Sequence, residues 1–293
     1  MKKSNHHAGA IKEKIMSGVF LITALTSIVA VFLICLFLFM NGLPAMSKIG
    51  IFNFLLGKKW TPTDVPASFG IFPMILGSIY VTVGAIIFGV PIGILTAIFM
   101  AKMCPKRIYY ILKPALDLLA GIPSIVYGFF GMMVIVPLMQ NLFGGNGKSI
   151  LTASFLLGIM ILPTIIGISE SSILAVPESY YEGALALGAS HNRAVFFAVI
   201  PAAKSGIFAS VILGIGRAIG ETMAVIMVAG NQAIVPNSLF KGVRTLTANI
   251  VIEMGYASGL HREVLIATGV VLFIFILIIN FSFSAIKRKV ESK

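Results

Sequence analysis

The chain has 293 residues, of which 58% are hydrophobic and only 11% are charged, and its mean hydropathy is +1.02. A soluble domain carries about a quarter charged residues, so this composition excludes a soluble globular protein and indicates an integral membrane protein. The net charge of +12 does not indicate nucleic-acid binding, because the lysines and arginines cluster at the ends of apolar runs rather than on one basic face.

Apolar segments recur along the chain, and each is long enough to cross a bilayer as a helix. They do not alternate apolar and polar residues, which excludes a membrane β-barrel. The first run, Ile15 to Met40, is longer than a signal-peptide core, so we expect a retained membrane anchor. The six predicted spans are about 16–40, 71–101, 115–139, 151–175, 206–229 and 263–285.

The basic residues between these spans predict the orientation of the chain. The side that holds both chain ends carries fourteen of them, Lys2, Lys3, Lys12, Lys14, Lys102, Lys106, Arg107, Lys113, Arg193, Lys204, Lys287, Arg288, Lys289 and Lys293. The opposite side carries seven, Lys48, Lys58, Lys59, Lys148, Lys241, Arg244 and Arg262. The positive-inside rule therefore places both termini in the cytoplasm.

This topology predicts that the chain is divided into four parts. A cytoplasmic tail (1–14) precedes the first transmembrane helix with its outer loop (15–70), and a core of five helices (71–286) precedes a cytoplasmic tail (287–293). The sequence shows no convincing internal repeat.

The sequence contains no complete motif for nucleotide binding or catalysis. "LFGGNGKS" lacks the first glycine of a phosphate loop and lies on the outer side, and "GIGRAIG" has one residue too many for a dinucleotide fingerprint. Cys35 and Cys104 have no metal-ligand spacing, and a disulfide between them is not expected. We therefore expect no enzyme, and no cofactor or metal bound by this chain.

The connection 175–206 is the longest one on the cytoplasmic side, and its pattern predicts a short amphipathic helix. Pro177 is suited to open it, Glu178 and Glu182 lie one turn apart, and Gly188 is suited to end it. Periodicity alone also allows a helix that lies on the membrane surface.

Glu182-Gly183-Ala184, then Gly188, then Ile200-Pro201 resemble the "EAA" loop of ABC-importer permeases, with departures at Gly183 and Ala198. The resemblance implies an all-α, six-helix type I ABC-importer permease fold whose loop 176–204 carries a coupling helix against a cytoplasmic ATPase. The coupling residues it implies are Glu178, Glu182, Gly183, Ala184, Gly188 and Pro201.

Three stretches resemble the PstC family of phosphate-importer permease subunits: "LAGIPSIVYGFFG", "LPTIIGISESSILAVPESYYEGALALGAS" and "GIGRAIGETMAVIMVAGN". The likeness covers roughly 70–293. It implies a bacterial inner-membrane protein with three kinds of partner. These are a PstA-like second permease, a PstB-like ATPase dimer that holds ATP and Mg, and an extracytoplasmic PstS-like phosphate-binding protein.

Arg217 and Glu221 lie within the predicted span 206–229, where each central charge costs roughly 2.5–3.5 kcal/mol. At an i,i+4 spacing they share a helix face, so a structural ion pair is one explanation. A polar pathway is favoured, because arginine offers a planar fork to an oxyanion and a carboxylate accepts the hydroxyl that phosphate carries and sulfate lacks. The predicted pathway residues are Arg217, Glu221, Gly216, Gly220 and Thr222.

Weaker candidates for the pathway or a gate are Pro123, which is expected to break its helix, Ser124 and Glu170. Other functions stay open. One is a permease for another oxyanion such as molybdate or sulfate. Another is a proton-coupled secondary transporter that uses Glu221 or Glu170, and a third is a sensor or assembly subunit without its own pathway.

Overall fold

The computed structural model describes the backbone of residues 3–291 and the side chains of residues 12–285. Five helices in this part of the chain are long and apolar enough to span a membrane, and a bent helix pair supplies a sixth span. The predicted six-span helical fold is therefore confirmed. Some side chains of the two predicted tails lie outside the described range. They include Lys2, Lys3, His6, His7, Lys287, Arg288, Lys289 and Lys293.

The first and last helices form a pair at the edge of the molecule. Helix α1 (Lys3–Ile49) packs along α14 (Gly259–Glu291), and Gly42 lies so close to Ala267 and Val270 that a side chain there would collide. Helix α1 continues past the predicted end near residue 40, because Pro44 is accommodated inside the helix.

The centre of the bundle consists of three packed helices. Helix α3 (Phe72–Ile98) continues as a π-helical turn to Met103, and it packs against α7 (Ile150–Leu174), which in turn packs against α11 (Lys204–Gly220). Helix α7 is buried on most sides because its apolar residues surround it rather than forming one stripe. It therefore positions the helices on either side.

Two of the predicted apolar segments, 115–139 and 206–229, are interrupted by helix breaks. Helix α4 (Lys106–Gly121) ends before Ile122 and Pro123, and α5 (Ser124–Phe130) runs through a π-helical turn into α6 (Val136–Phe143). The predicted break at Pro123 is confirmed. Helix α11 ends at Gly220, and the chain restarts as α12 (Met223–Val228).

One face of the bundle, here called the terminal face, holds the predicted amphipathic helix. Helix α8 (Glu178–Ala186) follows Pro177 as expected, and Gly188 adopts φ +84°, the left-handed conformation that ends a helix. Two short helices, α9 (His191–Ala194) and α10 (Ile200–Ala202), lead back to α11.

The opposite face is here called the hairpin face. It contains helices and strands in segments that were predicted to be loops. It holds α2 (Ile51–Leu56) and an antiparallel hairpin of β1 (Trp60–Thr61) and β2 (Ser68–Phe69), in which Trp60 pairs with Phe69. Helix α13 (Leu246–Met254) forms within the predicted loop 230–262, where the Thr245 hydroxyl caps its N-terminus.

Candidate functional site

The expected shared helix face of Arg217 and Glu221 is wrong, because the helix ends between them. Glu221 has an extended backbone (φ −68°, ψ 130°), so it follows α11 instead of continuing it. Arg217 lies in the last turn of α11, where unpaired carbonyl groups favour a cation.

Glu221 bonds to the backbone of the next helix. Its Oε1 accepts the N–H groups of Thr222 at 3.1 Å and Ala224 at 3.2 Å, so the carboxylate caps α12. Its main-chain oxygen accepts the Thr247 hydroxyl at 3.1 Å, which ties the break to α13. Both contacts fix Glu221, and neither involves Arg217.

Arg217 donates from Nη1 to the Thr164 hydroxyl on α7 at 3.2 Å. Among the ion pairs of the described residues, none includes Arg217. Two other partly buried cations differ: Arg244 is paired with Glu253, and Lys113 with Glu170 at 2.8 Å. The guanidinium charge of Arg217 thus meets a neutral hydroxyl rather than a carboxylate.

The two helix breaks belong to neighbouring half-helices. Helices α5 and α12 pack closely, with Gly128 against Ala224 and Met227. The Tyr127 hydroxyl donates to the Leu119 carbonyl at 2.7 Å, across the break at Pro123. The structure thereby places Pro123 and Ser124 on the half-helix that contacts the Glu221 segment.

Gly216 and Gly220 leave an open face on α11 beside Arg217. A side chain added at either glycine would meet no atom within 4 Å. Thr222, whose hydroxyl donates to the Gly220 carbonyl at 3.2 Å, lies at the same end. On this narrow surface, the described part of the chain leaves space for an added side chain at both glycines.

Glu170 lies elsewhere, on α7 against α4. Its side chain is only 2% exposed, Oε2 accepts from Lys113 Nζ, and Oε1 is buried with no hydrogen-bond partner among the described residues. The bond to this carboxylate raises the pKa of Lys113 above its ordinary value. Glu170 therefore pins α4 to α7 as one member of an ion pair.

Helix α8, which contains most of the predicted coupling residues, is exposed. None of the residues of α8 is buried, Leu187 at its end is 91% exposed, and Glu178 bonds to Lys102 at the end of α3 at 3.3 Å. The predicted set Glu182, Gly183, Ala184, Gly188 and Pro201 lies on or beside this terminal-face segment. The helix is thus attached to the bundle and open to a partner.

The sequence does not predict a buried polar cluster that lies on the hairpin face. Glu253 on α13 accepts from Trp60 Nε1 at 2.9 Å and from Arg244, and lies 2.8 Å from Nε2 of His261. Arg244 also donates to Asn249 at 3.1 Å. One carboxylate thereby joins the hairpin, the preceding loop and α14.

The sequence also does not single out Thr164 and Thr247, although both contact the Arg217–Glu221 segment. A hydroxyl carries no charge and adds little to hydropathy, so Thr164 does not stand out in its apolar segment, and Thr247 lies in a segment predicted to be a loop. The only signal for Thr164 is its place beside Pro163 in the stretch "LPTIIGISE".

Comparison with known proteins identifies the class. The family model "Binding-protein-dependent transport system inner membrane component" matches residues 89–292, and the chain belongs to this family. It is therefore a membrane-embedded transporter subunit and not an enzyme.

Curated relatives cover most of the chain. A probable ABC transporter permease, YqgH of Bacillus subtilis, is 39% identical over 91% of this chain and 89% of its own length. The phosphate transport system permease PstC of Mesorhizobium japonicum is 36% identical over 86% and 81%. The probable PstC of Methanocaldococcus jannaschii is 33% identical over 89% and 90%.

Solved structures confirm the fold. A bacterial alginate ABC transporter in complex with its alginate-bound periplasmic protein matches with a TM-score of 0.66 at 14% identity, over 95% of this chain and 97% of that chain. The MetNI methionine ABC transporter matches with a TM-score of 0.56 at 18% identity, over 75% and 94%. The architecture is the type I ABC-importer permease fold.

Proposed function

We propose that this chain is the permease subunit of an ATP-driven importer of inorganic phosphate in a bacterial plasma membrane, and that Arg217 binds the passing anion. The substrate is inferred from the relatives named as phosphate permeases, three of which are 33–36% identical over most of the chain. The chemistry of the site supports the same substrate class.

The observation that carries the proposal is the uncompensated charge of Arg217. A partly buried cation is costly in a membrane protein, and this chain neutralises Arg244 and Lys113 with carboxylates. At Arg217 it leaves the charge open, with one N–H of the guanidinium used by Thr164. Four further N–H donors remain for an oxyanion.

Glu221 supplies a second recognition element. Oε1 caps α12, whereas Oε2 makes no hydrogen bond to the described residues. An ionised carboxylate oxygen is an acceptor only, so it suits the hydroxyl of phosphate. Sulfate has no such hydroxyl, and its charge would face an unpaired carboxylate.

The partners complete the transporter. Arg217 and Glu221 together carry no net charge, so a dianion needs a second cation, which we assign to a PstA-like permease facing Gly216 and Gly220. A PstB-like ATPase dimer with ATP and Mg would contact α8, and a PstS-like binding protein would contact the hairpin face. Both termini are then cytoplasmic, in agreement with the basic residues between the spans.

The test is uptake of labelled phosphate and sulfate by the transporter, reconstituted with the subunits that copurify. We expect ATP-dependent phosphate uptake that falls about tenfold to a hundredfold in Arg217→Gln, the loss expected for a charge-assisted hydrogen bond. Lys14→Gln removes one positive charge from an exposed position on α1 and is the control. Normal uptake by Arg217→Gln, or uptake driven by a proton gradient without the ATPase, would overturn the proposal.

A further inference from the structure

The environment of Thr164 differs from that of Thr26 and Thr268, two other threonines in membrane-spanning helices. Thr26 and Thr268 donate their hydroxyls to carbonyl groups four residues earlier in their own helices. The described contacts of the Thr164 hydroxyl instead consist of one bond, in which it accepts from Arg217 of another helix. The hydroxyl is thus used between helices rather than within one.

The packing beneath this bond is tight. A side chain at Gly214 would lie 2.9 Å from Ile165, so the backbone of α11 approaches α7 closely, one turn before Arg217. Thr164 precedes Ile165 on α7, the most buried span. The acceptor is therefore held by a rigid helix at a fixed distance from the base of the arginine.

A hydroxyl at this position restrains the arginine without neutralising it. A carboxylate would fix the guanidinium equally well but would compete with an anionic ligand for the same charge. A long arginine side chain otherwise samples many rotamers, and each ligand would have to restrict them on binding. One hydrogen bond to a neutral acceptor removes part of that freedom in advance and leaves the charge intact.

We infer that Thr164 is a positioning residue for anion translocation, which acts by holding the guanidinium of Arg217 toward the passing oxyanion. The inference rests on the proposed function of Arg217. It assigns a role to a residue on α7, outside the charged segment that the sequence singles out.

The test compares Thr164→Val, which keeps the shape and removes the hydroxyl, with Thr164→Ser, which keeps the hydroxyl. Thr268→Val is the matched control, since its hydroxyl bonds within its own helix. In the reconstituted transporter we expect Thr164→Val to lower the maximal phosphate uptake rate roughly two- to tenfold, the loss expected when one hydrogen bond that positions the guanidinium is removed. Thr164→Ser and Thr268→Val should retain the wild-type rate, and the yield of assembled transporter should stay equal.

The double variant separates positioning from packing. If Thr164 acts through the guanidinium, Thr164→Val should have a much smaller effect in an Arg217→Lys background than alone. Equal rates for Thr164→Val and Thr268→Val would overturn the inference, as would a Thr164→Ser rate as low as that of Thr164→Val. If Arg217→Gln lowers uptake as expected while Thr164→Val transports at the wild-type rate, only the role of Thr164 fails; if Arg217→Gln transports normally, the proposed function itself fails.

Discussion

Arg217 and Glu221 are four residues apart in sequence, yet each is held by a different neighbour. Thr164 holds the arginine, and the first turn of α12 holds the glutamate. Separation keeps both charges available, whereas a direct ion pair would have used them on each other. The contacts of these two side chains therefore exclude an ion pair between them and leave both charges available to the anion site that we propose.

Glu221→Gln tests selectivity at the scale of one oxygen. The glutamine Oε1 can still cap α12, while the amide replaces Oε2, an acceptor, with an N–H₂ donor. We expect phosphate uptake to fall and sulfate uptake to rise, because a donor now faces the anion.

Competition of labelled sulfate against phosphate in the reconstituted transporter measures this change in anion selectivity. Glu13→Gln, on the exposed part of α1, is the control for loss of one carboxylate. Unchanged phosphate uptake with unchanged sulfate rejection would remove Glu221 from any selective role.

At the scale of elements, hydropathy predicts the spans but not the breaks that form the site. Each predicted apolar segment lies largely within the observed helices, because burial of apolar side chains in lipid depends on composition over about 20 residues. The break at Pro123 is predictable, since proline lacks the N–H that continues a helix. The break at Glu221 depends on the ψ angle of one residue and on a carboxylate cap, and neither leaves a signal in a hydropathy window.

Two glycines of the coupling segment predict opposite effects of the same substitution. A side chain at Gly183 or at Gly188 meets no atom within 4 Å, so only the backbone distinguishes them. Gly183 lies inside α8, where alanine is favoured by about 0.5–1 kcal/mol. Gly188 has φ +84°, where alanine costs roughly 1–2 kcal/mol.

Hydrogen exchange of the α8 amides measures both changes. Gly183→Ala should slow exchange across residues 178–186, and Gly188→Ala should accelerate it in the last turn of the helix. Slower exchange in both variants would contradict the assignment of Gly188 as the residue that ends α8.

At the scale of the whole molecule, α13 joins the hairpin face to the break in the fifth span. Thr247 at its start bonds to the main chain of Glu221, and Glu253 at its end bonds to Trp60, Arg244 and His261. No signal for this connection is present in the sequence, because its partners are up to 193 residues apart and its helix lies in a predicted loop. The hairpin face and the candidate pathway are thus linked by one short helix.

The contribution of Glu253 to stability can be judged by comparing it with Glu263, which forms an ion pair on the same face. In the Arg244–Glu253 pair the side chains are 16% and 6% exposed, whereas in the Lys48–Glu263 pair they are 57% and 40% exposed. Removing one partner of a buried pair costs about 3–5 kcal/mol because the remaining charge is left unpaired, while an exposed pair contributes about 0–1 kcal/mol. Glu253→Gln should therefore lower the thermal unfolding temperature of the purified transporter far more than Glu263→Gln does. Equal shifts for the two variants would mean that water reaches the cluster and that the hairpin face is not held together by Glu253.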